Sequence, residues 1–198
     1  MRIIEPLEAG NIYHLFNRGI NGENIFKEPR NYYHFLDKYK EYCSDILETY
    51  TYALLKNHFH LMVKVKENII VLRRDGKGEI ELNASKQLSH FFNAYAQSYN
   101  AAYNRHGKLL EEPFKRKMVN ADSYFTSLIY YIHFNPQHHG FTTDFRNWEF
   151  TSWHALLSDK ETFLAKEKVI ECFGSKNHFV NAHVGNAGLT DISHLLME

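Results

Sequence analysis

Asn57-His58-Phe59-His60-Leu61-Met62-Val63 sets two histidines on either side of one large apolar residue, inside a run that reads as a buried strand. In a strand the side chains at i and i+2 share a face, roughly 6–7 Å apart along the chain. His58 and His60 therefore project together while Phe59 faces the opposite way. Leu54-Leu55 before them and Leu61-Met62-Val63 after them fix the strand in a core. Two imidazoles side by side on a rigid sheet can grip one divalent cation. They can also be a pair of core histidines bonded to backbone carbonyls, and the spacing alone leaves both readings open.

Outward from this strand the chain alternates strands and helices. Residues 11–18 predict a first strand, stopped by Gly19 and Asn21-Gly22. Pro29 opens a helix over residues 30–42, with Tyr32, Phe35, Leu36 and Tyr39 spaced for one face. Residues 46–55 are β-rich, and only Lys56-Asn57 separates them from His58, which predicts a hairpin. Residues 69–78 read as irregular, with a turn at Asp75-Gly76-Lys77-Gly78. A long helix is expected over residues 83–105, with Gly107 as its stop, and a short basic strand over residues 114–119. Asp122 or Ser123 caps a further helix that runs to Asn135, where Pro136 ends it. Beyond Gly140 the pattern is mixed, and residues 185–198 read as a loose tail. The order predicts an α+β fold, an antiparallel sheet with helices mainly on one face.

Composition narrows the class. A chain of 198 residues suits one domain with a core of its own. The two cysteines, Cys43 and Cys172, make neither a metal-ligand spacing nor a disulfide framework and fit free thiols in a reducing cytoplasm. Met1-Arg2-Ile3-Ile4-Glu5-Pro6 breaks before a signal-peptide core could form, and no apolar run approaches membrane-spanning length, so no membrane partner is expected. The formal net charge of zero hides an asymmetry: residues 1–55 carry −2, residues 56–118 carry +6, and residues 119–198 carry −4. The basic middle holds Arg73, Arg74, Lys77, Lys86, Arg105, Lys108, Lys115, Arg116 and Lys117, interleaved with Tyr95, Tyr99 and Tyr103. Cations among rings suit a polyanion such as single-stranded nucleic acid, and they equally suit a solvated basic face over core tyrosines.

The helix before Pro136 supplies the second piece of chemistry. It reads Tyr130-Tyr131-Ile132-His133-Phe134-Asn135, so Tyr131 and Asn135 stand at i and i+4 on one face. A phenol and an amide oxygen are thus offered together to a neighbouring sheet. A tyrosine can act as a nucleophile once a cation activates the group it attacks. A tyrosine in an aromatic helix can also be plain core.

Five motifs in this order resemble those of the single-tyrosine HUH endonucleases, and most closely the REP-associated tyrosine transposases. Tyr13-His14-Leu15-Phe16-Asn17-Arg18-Gly19, with Ile25-Phe26, is similar to that family's first strand and turn. Asn57-His58-Phe59-His60-Leu61 matches its N-H-x-H-L box, and Tyr131-Ile132-His133-Phe134-Asn135-Pro136 its Y-I-x-x-N-P box. Gly107-Lys108-Leu109-Leu110 with Phe114-Lys115-Arg116-Lys117 resembles its basic segment, and Trp148-Glu149-Phe150-Thr151-Ser152-Trp153 the element that follows. Two places depart from the pattern. Lys56 stands where a proline is common, and Gln137-His138-His139-Gly140 stands where the family shows V-R-A-G.

The resemblance implies a ferredoxin-like HUH core over residues 1–155, with the histidine strand central, and a C-terminal extension over residues 156–198 that is helical and then loose. It implies that His58, His60 and Asn135 hold Mg²⁺ or Mn²⁺, and that Tyr131 attacks the scissile phosphate to give a 5′-phosphotyrosine and a free 3′-hydroxyl. Asn135 is preferred to Gln137 as the amide ligand, because Gln137 is off the face of Tyr131. The implied partner is single-stranded or hairpin DNA, held by Arg73, Arg74, Arg105, Lys108, Lys115, Arg116 and Lys117, with monomer and homodimer both open. Two other readings stay beside it: a DNA-binding protein on the same fold without catalysis, and an unrelated cytosolic metal-binding protein.

Overall fold

The computed structural model describes residues 6–67, 69–72, 76–120 and 122–185. Strand β1 (Ile12–Arg18) is followed by helix α1 (Pro29–Cys43), then by β2 (Leu47–Leu55) and β3 (His58–Val65), joined by the two-residue turn at Lys56-Asn57. A small hairpin, β4 (Ile70–Leu72) and β5 (Glu79–Glu81), leads into α2 (Ala84–Ala102) and the short β6 (Lys115–Met118). Helices α3 (Asp122–His138), α4 (Trp153–Leu157), α5 (Lys166–Phe173) and α6 (Lys176–Gly185) complete the chain.

The main sheet is antiparallel with strand order β2-β3-β1-β6, so the histidine strand is internal and hydrogen-bonded on both edges. With α1 and α2 as the two crossovers this is a ferredoxin-like α+β core. Phe59 points to the α1 and α2 side, where its ring lies 5.0 Å from Phe35 and 5.6 Å from Phe92. The opposite face is not left bare: α3 crosses it over β2 and β3. Helices mainly on one face therefore describes α1 and α2, and the third long helix covers the histidine face alone.

Local chemistry explains the elements that position the site. Pro29 sits in the first turn of α1, where a missing N–H is harmless, and Asn31 Oδ1 accepts from Glu28 N at 3.1 Å. Asn83 caps α2 by accepting from Lys86 N at 2.9 Å. At the end of β1, Gly19 lies so close to Glu23 that an added Cβ would fall 2.0 Å from its carbonyl oxygen. Only glycine lets the chain turn there, directly after Arg18. The outer edge of β2 is closed by later chain: Leu54 N donates to Phe150 O, Ser152 N to Tyr52 O and Ala165 N to Thr49 O. Leu164, Val169 and Phe179 of the C-terminal helical segment are buried in the same core.

Two expectations change. Residues 69–78 are not merely irregular: Ile70, Val71 and Leu72 pair with Glu81, Ile80 and Glu79. Three-residue strands are too short to show an alternation in sequence. Helix α3 does not end at Asn135 but runs to His138 with Pro136 inside it. Proline removes one donor, yet His139 N still donates to Asn135 O at 3.0 Å, so the helical path continues through the last turn. The predicted turn at Asp75, the side chains of Asp122 and Ser123, and the predicted tail from residue 186 onward lie outside the described residues. Among the described residues no helix is long and apolar enough to cross a membrane.

Candidate active site

The i, i+2 spacing in β3 and the i, i+4 spacing in α3 converge on one place. His58 and His60 are both buried, with ring centroids 5.2 Å apart. Tyr131 descends on them from α3: its ring lies edge-on to His60 at 5.7 Å and to His14 at 6.4 Å. Asn135, fully buried one turn further on, puts Oδ1 3.1 Å from His58 Nε2. Tyr130 points elsewhere, stacking on Phe134 at 5.5 Å and approaching His183 at 5.6 Å.

The protonation states follow from burial. Desolvation, opposed by the bond to Asn135, takes His58 down to about 4, and it takes His60 well below the ordinary imidazole range. Both rings are neutral near pH 7 and carry one N–H each. His58 Nδ1 lies 2.8 Å from Asn57 Oδ1, and a neutral ring that donates there has no proton left for Asn135. The ring thus meets two amide oxygens with one N–H, and when the proton is on Nδ1 the Nε2 lone pair and Asn135 Oδ1 face each other as two acceptors 3.1 Å apart. His60 Nδ1 lies 2.9 Å from His14 Nε2, while His60 Nε2 and Asn135 Nδ2 are buried with no hydrogen-bond partner. Burial pushes the Tyr131 phenol up, with Asn135 pulling partly the other way, so it too is protonated at neutral pH.

Unsatisfied buried polar atoms are uncommon, and two in one buried group mark a place built to be completed by something else. Two neutral imidazoles and an amide are a donor set suited to a borderline divalent cation. Among the described residues no group of three His, Cys, Asp or Glu is arranged to hold a metal. A cation site here therefore depends on the Asn135 amide.

Three residues beside this group were not among the sequence candidates. His14 bonds to His60 from the neighbouring strand. His139 lies with its ring centroid 4.8 Å from that of His58, and with Tyr131 and Asn135 it makes an i, i+4, i+8 row. Ending the helix at Pro136 concealed it. Arg18, opposite His58 in the β1–β3 register, is held by Glu111 at 2.6 Å.

The basic residues divide. Lys115 and Lys117 pair with Phe16 and His14, which share the histidine face, so both lie on that side of the edge strand. Arg116 pairs with Leu15 and faces the other way; it stacks over Phe114 at 3.8 Å and donates to Ser85 Oγ at 3.1 Å. It borders a cavity of about 890 Å³ between α2 and residues 107–114, remote from the histidines. Arg105 is paired with Glu23 at 2.6 Å and Lys108 with Glu112 at 2.7 Å. Arg73 and Arg74 lie outside the described residues.

A second buried cluster meets α3 over β2. His183 Nδ1 donates to Phe179 O at 2.7 Å, and His183 Nε2 accepts from His133 Nδ1 at 2.9 Å. His133 Nε2 then accepts from Ser152 Oγ at 2.7 Å or Thr51 Oγ1 at 2.9 Å. Every ring nitrogen here has a partner.

An internal histidine-pair strand under a tyrosine helix, on a ferredoxin-like sheet, is the class of architecture these features define. No protein-family model matches the chain, and no curated protein matches its sequence. Its fold is that of a solved REP-associated tyrosine transposase, captured bound to a REP hairpin: the two superpose with a TM-score of 0.60 over 80% of this chain and 86% of that one. At 14% identity the likeness is one of fold.

Proposed function

We propose that the chain is a metal-dependent DNA-nicking and joining enzyme acting on single-stranded or hairpin DNA through a 5′-phosphotyrosine. The observation that carries this reading is the convergence of Tyr131 and Asn135 on the buried His58–His60 pair, with polar atoms left unpartnered between them. The substrate class is supported by the fold shared with a hairpin-bound transposase and by the lysines on the histidine face.

In this reading His58, His60 and Asn135 hold Mg²⁺ or Mn²⁺. Imidazole nitrogen favours Mn²⁺ over Mg²⁺, which prefers oxygen. When bound, the cation polarises the scissile phosphate and offsets the charge that grows on it. Tyr131 Oη forms the new bond to phosphorus and the bond to the 3′-oxygen breaks; the phenol proton ends on the released 3′-hydroxyl. Because the phenol is protonated at neutral pH, this proton must leave during attack. Lys115 and Lys117 on the histidine face and Arg18 opposite His58, the first and last of them now sharing Glu111, would hold the strand by its phosphates.

The test is a denaturing gel of the protein with 5′- or 3′-labelled hairpin DNA and Mn²⁺. A covalent adduct that keeps the label on the 5′-phosphate side, mapped by proteolysis to the peptide containing Tyr131, is expected. Tight binding without any adduct on single-stranded substrates overturns catalysis and leaves a DNA-binding protein. Absence of any DNA affinity overturns both.

A further inference from the structure

We propose that His14 is a positioning residue that fixes the tautomer of His60, holding its proton on Nδ1 so that Nε2 presents a lone pair to the site. The inference rests on the metal-site reading above for its purpose, but not for its geometry. His14 and His60 are both fully buried, on adjacent strands, with rings stacked at 5.1 Å and His14 Nε2 2.9 Å from His60 Nδ1. With one N–H on each ring, such a bond uses one N–H and one lone pair, so two arrangements exist. If His14 donates, the proton of His60 sits on Nε2, which has no hydrogen-bond partner. A buried N–H would then be stranded. If His60 donates, Nε2 keeps a lone pair among His58 and Asn135, where a cation can complete it.

The two histidines of the box then reach the same state through different partners. His58 commits Nδ1 to the Asn57 amide, and His60 commits Nδ1 to the His14 ring. In many metal sites a carboxylate or backbone carbonyl orients the ligating imidazole. Here β1 offers no carboxylate on the histidine face, and a carboxylate would bring a charge into a strand position with no exposure. An imidazole supplies an acceptor without that charge. The β1–β3 register makes the seat: Phe16 lies opposite His60, and His14 stands two residues back on the same face.

Long-range ¹H–¹⁵N NMR of the metal-free protein reads the tautomer directly, with His60 assigned by comparison with His60→Gln. The Nδ1–H form is expected; an Nε2–H form overturns the proposal. Calorimetric titration with Mn²⁺ alone gives the second readout. His14→Phe keeps a ring but removes the acceptor, and its Mn²⁺ affinity should fall roughly 10- to 100-fold. His14→Gln, whose Oε1 can accept from Nδ1–H, should recover most of that loss. DNA binding in excess chelator should be the same for all three proteins. An unchanged Mn²⁺ affinity in His14→Phe overturns the role of His14. Should His14→Phe not fold, the tautomer of the parent and the affinity of His14→Gln decide the matter. A parent that binds no Mn²⁺ sinks the metal reading, while the NMR result still judges the tautomer by itself.

Discussion

Helix α3 contributes to two buried histidine clusters, and they differ in one respect. Over β2, His133, His183, Ser152 and Thr51 form a closed relay in which every ring nitrogen has a partner. Over β3 and β1, His58, His60, His14 and Asn135 form a group that stays open, with His60 Nε2 and Asn135 Nδ2 unpartnered. Both are desolvated, so burial does not distinguish them. Completeness does: a closed polar network fixes structure, whereas an open one keeps binding capacity in reserve. The closed cluster ties α6 and the start of α4 to the helix that carries Tyr131, and so sets that helix over the open one.

The largest effect should come from the open side. Tyr131→Phe removes one hydroxyl and no ring, so adduct and cleavage should drop below detection, at least a thousandfold by the usual weight of a lost nucleophile. Thermal stability and hairpin affinity should stay within error of the parent. Cleavage at parental rate by this variant would move the nucleophile elsewhere.

Acid should strike both clusters. His58 and His183 both have pKa values lowered to about 4, mainly by burial. The unfolded chain takes up protons at these positions near the ordinary imidazole value while the folded one resists. Their contribution to stability is therefore full above about pH 6.5 and is lost as pH falls from there toward 4, on the order of 3 kcal/mol each. Urea midpoints at pH 7 and pH 5 check this. A midpoint that holds steady or rises on acidification would mean that the buried rings are already charged.

The clusters should separate on mutation and on metal addition. His133→Ala leaves Ser152, Thr51 and His183 without their shared partner and opens a hole. A loss of about 2–4 kcal/mol is expected, on the order of 5–15 °C in melting temperature. Mn²⁺ at about a hundred times its Kd should instead raise parent stability by about 2.7 kcal/mol. That gain should vanish in His58→Ala and persist in His183→Phe, provided the latter folds. Calorimetric melts with and without Mn²⁺ decide it, and a gain that survives His58→Ala would place the cation elsewhere.

The smallest effect concerns the basic strand. Lys115→Ala and Lys117→Ala, on the histidine face, should each weaken hairpin binding a few-fold and reduce the salt slope by about one. Arg116→Ala, facing α2, should change the salt slope less. Equal effects for all three would show that DNA wraps the edge strand rather than lying on one face.

The sequence by itself determined the strand of the histidine pair, its hairpin with β2, and the pairing of Tyr131 with Asn135. Each depends on a local period of two or of 3.6 residues. The same locality set its limits. Pro136 looked like a stop because a missing N–H can be read from sequence, whereas bonds such as His139 N to Asn135 O that carry the turn onward cannot. Arg116 and Lys117 read alike as cations, and only the β1–β6 register sends them to opposite faces. His14 meets His60 across 46 residues, and His133 meets His183 across 50. Tertiary structure alone decided which histidines are closed and which open, because hydrogen-bond completion is a property of neighbours brought together by strand register and helix docking.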